Sequence, residues 1–166
     1  MAMEPSQLGR LVQEHAAALV LYARQWCAAP EDVVQEAFLK LAAVPQPPRQ
    51  PVAWLYRVVR NASVSTLRAL YRRRKHETAA AGRNAPWFLR SDDTDLDAQA
   101  ATDALDSLPA IEREVITLHL WGGLTFLEIG DVLDCSDSTA HRWYLAGLAR
   151  LRERLHVPCP PSKNKN

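Results

Sequence analysis

Trp54, Arg57, Arg60, Asn61, Arg68 and Arg72 recur at a spacing that gathers them on one side of a helix. At about 100° per residue they occupy an arc of about 120°, opposite an apolar arc of Val52, Leu55, Val58, Val59, Ala62 and Leu70. A solvated face normally mixes both signs of charge, but this one has four arginines, an amide and an indole, and no acid. Guanidinium groups pair with phosphate oxygens, and an aromatic ring stacks on an unpaired base for about 1–3 kcal/mol. Such a face suits an extended anion carrying flat rings. An arginine-rich solubilising face with Trp54 at its edge has the same pattern, and this helix alone does not separate the two readings.

A second group, Ser138, Thr139, His141, Arg142 and Leu145, lies on the outward side of another predicted helix. Thr125 and Glu128 have the T-x-x-E spacing of a capping box and open a short helix expected to bury Leu127, Ile129, Val132 and Leu133. A turn at Asp134 and Cys135 follows, and Ser136 is placed to cap the next helix, whose apolar stripe is Ala140, Tyr144, Gly147, Leu148, Leu151 and Leu155. Two short capped helices with so tight a turn describe a helix-turn-helix, whose second helix fits the DNA major groove. Arg142 suits a guanine edge, Ser138 and Thr139 phosphates or bases, and Leu145 a thymine methyl. Helical hairpins that touch no DNA share this spacing.

Catalysis finds no constellation. His15, His76, His119, His141 and His156 do not pair with cysteine or carboxylate at ligand spacing, and no G-x-S-x-G is present. His119, between Leu118 and Leu120, reads as a packed histidine. Cys27, Cys135 and Cys159 form no CxxC pair and read as free thiols that fill space, so no metal site and no cofactor is expected. The 6 glycines are too scattered to cradle a phosphate, and no apolar run approaches the ~20 residues of a membrane helix. Glu4, Arg10, Glu14 and Arg24 interrupt the start of the chain, which therefore lacks the pattern of a secretory signal; a cytoplasmic protein without membrane insertion is expected.

The elements that must position these residues are all helical, because apolar residues recur at i, i+3, i+4 and i+7 and no stretch sustains period-two alternation. Leu8, Leu11, Val12, His15, Ala16, Leu19 and Val20 make one stripe. Pro30, with Glu31 and Asp32 behind it, starts a second helix that buries Val33, Val34, Ala37, Phe38 and Leu41 and turns Asp32, Gln35, Glu36 and Lys40 outward. The proline-rich VPQPPRQP breaks the chain, and Pro51 restarts it as the arginine-bearing helix. Further on, Ile111, Val115 and Leu118 line a helix stopped by Gly122 and Gly123. The net charge of +1 across 166 residues conceals a segregation: Arg49 to Lys75 holds eight bases and no acid, whereas Ser91 to Glu114 holds eight acids and one base. The expected plan is two small helical domains, residues 1–76 and 97–157, joined by a flexible linker at 77–96 and followed by a disordered tail at 158–166.

The order of these parts resembles the bacterial sigma-70 superfamily, specifically the small two-domain sigma factors of the extracytoplasmic-function group. PEDVVQEAFLKL is similar to the family's region-two helix that grips the polymerase clamp, which implies a polymerase-binding role for Asp32, Gln35, Glu36, Phe38 and Leu39. PVAWLYRVVRNASVSTLR is similar to the part that opens and reads the minus-ten element, and the segment from Leu108 to Leu155 to the region-four domain that reads the minus-thirty-five element. The resemblance implies core RNA polymerase, through its clamp coiled coil and flap, and promoter DNA as partners, with room for an anti-sigma factor. Ser65 stands four residues after Asn61 where the family usually has an acid or amide, and Asp134 occupies a turn position often held by glycine. A stand-alone helix-turn-helix regulator is the alternative, and it would need neither the Asp/Gln/Glu face nor the Arg/Trp face of the first domain.

Overall fold

The computed structural model describes residues 3–74 and 103–155, with side chains through residue 65 in the first stretch. Its described residues contain helices and no strand. α1 spans Pro5–Ala23, α2 Pro30–Ala43 and α3 Pro51–Arg74. A short helical segment at 103–106 leads to α4 (Ala110–Leu120), α5 (Phe126–Leu133) and α6 (Asp137–Leu155). The expected linker and tail, together with His76, His156 and Cys159, lie outside the described residues.

Proline opens each of the first three helices, where a missing N–H costs nothing and the ring pre-sets φ. In α2 the acids Glu31 and Asp32 follow in the first turn and Lys40 stands in the last, complementing both ends of the helix dipole. After the proline-rich break, Trp54 N–H donates to the Gln50 carbonyl at 3.0 Å, the first hydrogen bond of α3. These helices bury Leu19, Tyr22 and Ala23 from α1, Val34, Ala37, Phe38 and Leu41 from α2, and Leu55, Tyr56 and Val59 from α3.

The second module forms around α4, which is covered on most sides: Glu112, Glu114, Val115, Ile116, Thr117 and Leu118 are all buried. Gly147 of α6 lets that helix come close to α4, since a Cβ there would stand 2.7 Å from Ile116 Cδ1 and 3.2 Å from Glu112 Cβ. On the same seam Arg150 Nε lies 2.9 Å from Glu112 Oε2. His119 stacks on Phe126 at 4.6 Å and its Nδ1 is 2.8 Å from the Leu124 carbonyl, so it is the packed histidine expected from its apolar neighbours. Leu127 departs from expectation: it is 63% exposed, because the short α5 turns only Ile129, Gly130 and Val132 inward.

The two modules do not stand apart. α5 packs along α3, and α1 touches α4. Val115, Leu118, Leu124, Ile129, Val132 and Ala140 belong to the same apolar cluster as Leu19, Leu41, Leu55 and Val59. Gly122 makes the approach possible, because a Cβ on it would meet the Leu118 carbonyl oxygen and come within 3.1 Å of Tyr56 Cζ.

Candidate nucleic-acid and polymerase interfaces

On α2, Asp32, Gln35, Glu36 and Leu39 follow the i, i+3, i+4, i+7 rhythm and are all exposed. Leu39, at 63% exposure, is an apolar knob ringed by polar groups, and Glu36 Oε1 holds Lys40 Nζ at 2.8 Å beside it. Phe38 does not belong to this surface. It is 8% exposed and packs in the core with Val34, Ala37 and Leu41, because position 38 falls on the inward stripe of the helix. The direct contact implied for Phe38 is therefore corrected to a supporting role beneath the exposed face.

The arginine-bearing face of α3 is divided. Arg57 and Asn61 are exposed, and Trp54 is half-buried. Arg68 and Arg72 lie on the described helix, but their side chains are outside the described residues. Trp54 and Arg57, with Pro48, Arg49 and Gln50, line an open groove of about 360 Å³ whose far wall is Asp131 and Val132 of α5. Arg60 is differently placed. Its Nε donates to Glu114 Oε1 at 2.8 Å, and the Tyr22 hydroxyl donates to the same oxygen at 2.7 Å. Arg60 is thus an arginine paired across the module boundary in this arrangement, not one of the free cations its helical position suggested.

The electrostatics of that triad follow from burial. Glu114 is 4% exposed, which would be costly for a carboxylate without hydrogen-bond donors and a countercharge. Burial pushes the Tyr22 phenol well above its ordinary range and the adjacent carboxylate adds to this, so Tyr22 remains a donor. For Arg60, burial works against the charge, but Glu114 more than offsets it and the guanidinium is held up. Tyr56 packs edge-on to Tyr22 with ring centroids 5.1 Å apart. Burial raises the Tyr56 phenol too, and its hydroxyl has no hydrogen-bond partner among the described residues.

Sequence reasoning missed Tyr22, Tyr56 and Glu114. A signal for Glu114 was present: positions 111, 114, 115 and 118 share the i, i+3, i+4, i+7 rhythm, so this acid interrupts the apolar stripe of Ile111, Val115 and Leu118. An acid on an inward stripe calls for a donor from elsewhere in the molecule.

The helix-turn-helix is built as its sequence pattern indicates. Glu128 N–H donates to Thr125 Oγ1 at 3.3 Å while Thr125 N–H donates to Glu128 Oε2 at 2.8 Å, completing the capping box. Asp134 takes the left-handed conformation, φ 58°, that the turn requires. Ser136 Oγ then accepts the Thr139 N–H at 3.2 Å and caps α6. Ser138, His141, Arg142 and Leu145 form one exposed face of α6. Thr139 is only half-exposed, and its hydroxyl accepts from Ser136 Oγ at 2.8 Å, so it is occupied in the cap. Trp143 is half-buried and packs against the core, turned aside from that face.

Cys27 and Cys135 are free and half-buried. Burial raises both thiols above their ordinary range, which favours the protonated form. Among the described residues no group of three or more His, Cys, Asp or Glu is placed to hold a metal ion.

Two family models match, sigma-70 region 2 over residues 11–74 and sigma-70 region 4 over residues 98–151. This chain belongs to the sigma-70 family. As a sigma factor it binds core RNA polymerase and directs transcription initiation. Among solved structures it is similar to the sigma factor RpoE in complex with the anti-sigma factor NepR from Bartonella quintana, with 22% identity, 93% of this chain and 99% of that chain covered, and a TM-score of 0.74. It is also similar to CnrH in complex with the cytosolic domain of CnrY, with 26% identity, 94% of this chain and 92% of that chain covered, and a TM-score of 0.59. No curated protein sequence matches the chain. Among the described residues of this sigma factor, no helix is long and apolar enough to cross a membrane.

Proposed function

We propose that this sigma factor belongs to the extracytoplasmic-function group and divides its work among three helix faces. Asp32, Gln35, Glu36 and Leu39 of α2 dock on the polymerase clamp. Trp54, Arg57, Arg60, Asn61, Arg68 and Arg72 of α3 take the melted minus-ten strand, the indole stacking on a base and the guanidinium groups holding phosphates. Ser138, His141, Arg142 and Leu145 of α6 read the minus-thirty-five duplex, with Arg142 suited to a guanine edge. The chain does no chemistry of its own and works in the cytoplasm. The sigma factors it resembles were solved with anti-sigma partners, and a protein of that kind is proposed as its regulator.

The observation that carries this reading over a stand-alone regulator is the exposed α2 face, an apolar knob at Leu39 within a ring of Asp32, Gln35 and Glu36 that serves no internal packing. The test is binding of the purified chain to bacterial core polymerase, followed by run-off transcription on fragments of the source genome. Tight binding and discrete start sites are expected, both lost in a Gln35→Ala/Glu36→Ala double variant. Equal binding by that variant would remove α2 from the interface, and no binding by the folded wild type would favour the stand-alone regulator.

A further inference from the structure

His141 stands on the exposed face of α6, yet its ring has a neighbour on another helix: the centroid of Phe126 lies 4.8 Å away, with the two planes tilted at 55°. Phe126 is the first residue of α5, set in place by the Thr125 and Glu128 capping box. It also stacks on His119 of α4 at 4.6 Å and 19°, and lies 5.4 Å from Tyr144 of α6. His119 meets Tyr144 edge-on at 4.8 Å. The row is anchored at its inner end, because His119 Nδ1 is 2.8 Å from the Leu124 carbonyl, which only accepts, so that Nδ1 carries the proton. These separations are those of favourable ring pairs, and Tyr144 follows His141 by three residues, so Phe126 seats against one i, i+3 pair of α6.

We propose that Phe126 is a positioning residue for promoter recognition: it holds the His141 ring edge-out, so that one imidazole N–H donates to N7 of a purine in the minus-thirty-five duplex. The inference rests on the assignment of α6 to that duplex made above.

An exposed side chain that samples several rotamers must give them up when it meets a base, whereas one already held does not, and the saving belongs only to sequences that offer the matching acceptor. An imidazole presents its N–H in the plane of the ring. N7 is an in-plane acceptor that adenine and guanine share at the major-groove edge, where cytosine offers an amine and thymine a methyl beside its O4. A held His141 therefore separates purine from pyrimidine, while Arg142 beside it has the two bonds that single out guanine. Leucine at position 126 would fill similar space but has no flat face to fix the tilt of the imidazole.

The test uses the full chain. With carbon-13 at the histidine Cε1 positions, the His141 signal, assigned by its loss in His141→Ala, is expected to move in Phe126→Leu and to stay in Phe126→Tyr. In parallel the chain selects from a duplex library with about ten randomised base pairs, one turn of DNA, and the selected duplexes are titrated with each purine in turn replaced by its 7-deaza analogue. The wild type is expected to prefer purine over pyrimidine about tenfold at one position and to lose that preference with the 7-deaza base. Phe126→Leu is expected to reduce it to about twofold and to leave the preference set by Arg142 intact, whereas Phe126→Tyr keeps both. In a His141→Ala background, Phe126→Leu is expected to remove nothing further, as two residues acting through one contact require. Should Phe126→Leu fail to fold, Phe126→Met, flexible and equally without a flat face, is read in the same way. A packing role alone would weaken binding to every sequence equally, and an unchanged purine preference in the folded variants would overturn the brace. Insensitivity to the 7-deaza bases would overturn the N7 contact. If the wild type selects no sequence, the assignment of α6 falls and this inference with it; selection that depends on Arg142 but not on Phe126 would leave the assignment standing and remove the brace alone.

Discussion

Phe38 and Leu39 are neighbours in sequence with opposite work to do. Phe38 is buried against Val34, Ala37 and Leu41, whereas Leu39 is 63% exposed among Asp32, Gln35 and Glu36, the ring proposed to meet polymerase. Phe38→Ala is expected to cost about 3–5 kcal/mol of stability, the range for emptying a buried aromatic site, and to weaken polymerase binding only through unfolding. Leu39→Ala is expected to leave the thermal midpoint within error and to weaken binding to core polymerase. Paired thermal melts and binding titrations separate the two, and a Leu39 variant that melts early yet binds normally would reverse their roles. The distinction was legible in the sequence, since helical phase alone sets Phe38 with the apolar stripe and Leu39 with Asp32, Gln35 and Glu36. A motif assignment that names both residues together loses it. Thr139 shows what phase does not reach: its position is outward, but its hydroxyl is taken up by Ser136.

At the scale of elements, the helix-turn-helix was legible almost completely because its determinants are local. The capping box at Thr125 and Glu128, the left-handed Asp134 and the Ser136 cap each involve residues within a few positions of one another. Thr125→Ala is therefore expected to cost about 1 kcal/mol, the usual loss for an N-cap, measured as a fall in denaturant midpoint. Gly130→Ala is expected to cost more, because its Cβ would stand 2.6 Å from the Cys135 carbonyl oxygen, a backbone atom held by the turn. A Gly130 variant as stable as the wild type would mean that the turn can widen. α3 was legible on one side only. Its expected apolar arc holds Leu55 and Val59, yet Ala53, Tyr56 and Ser63 beyond that arc are buried as well. Periodicity within one helix detects the first surface packed on it; the second comes from another part of the chain.

The whole molecule turns on contacts between residues far apart in sequence. The segregation of a basic stretch from Arg49 to Lys75 and an acidic one from Ser91 to Glu114 was visible, but which acid meets which base depends on how two modules approach, and Arg60 and Glu114 are 54 positions apart. Nothing local to either helix encodes that pairing. Its thermodynamic consequence is cooperativity. A helical unit below about 70–80 residues rarely holds more than about 3–5 kcal/mol on its own core, so each module here depends on the apolar surface it shares with the other. With Leu19, Leu55 and Val59 in one cluster with Val115, Leu118 and Val132, loss of either module exposes the inner face of its partner. Urea unfolding of the full chain is expected to be a single transition, coincident by far-ultraviolet circular dichroism and by tryptophan fluorescence, which samples both modules through Trp26, Trp54, Trp121 and Trp143. In Glu114→Lys, which sets a second cation against Arg60 across the seam, the two probes are expected to separate and the less stable module to melt first. Two resolved transitions already in the wild type would show that the shared core couples the modules weakly, and that each holds its fold without the other.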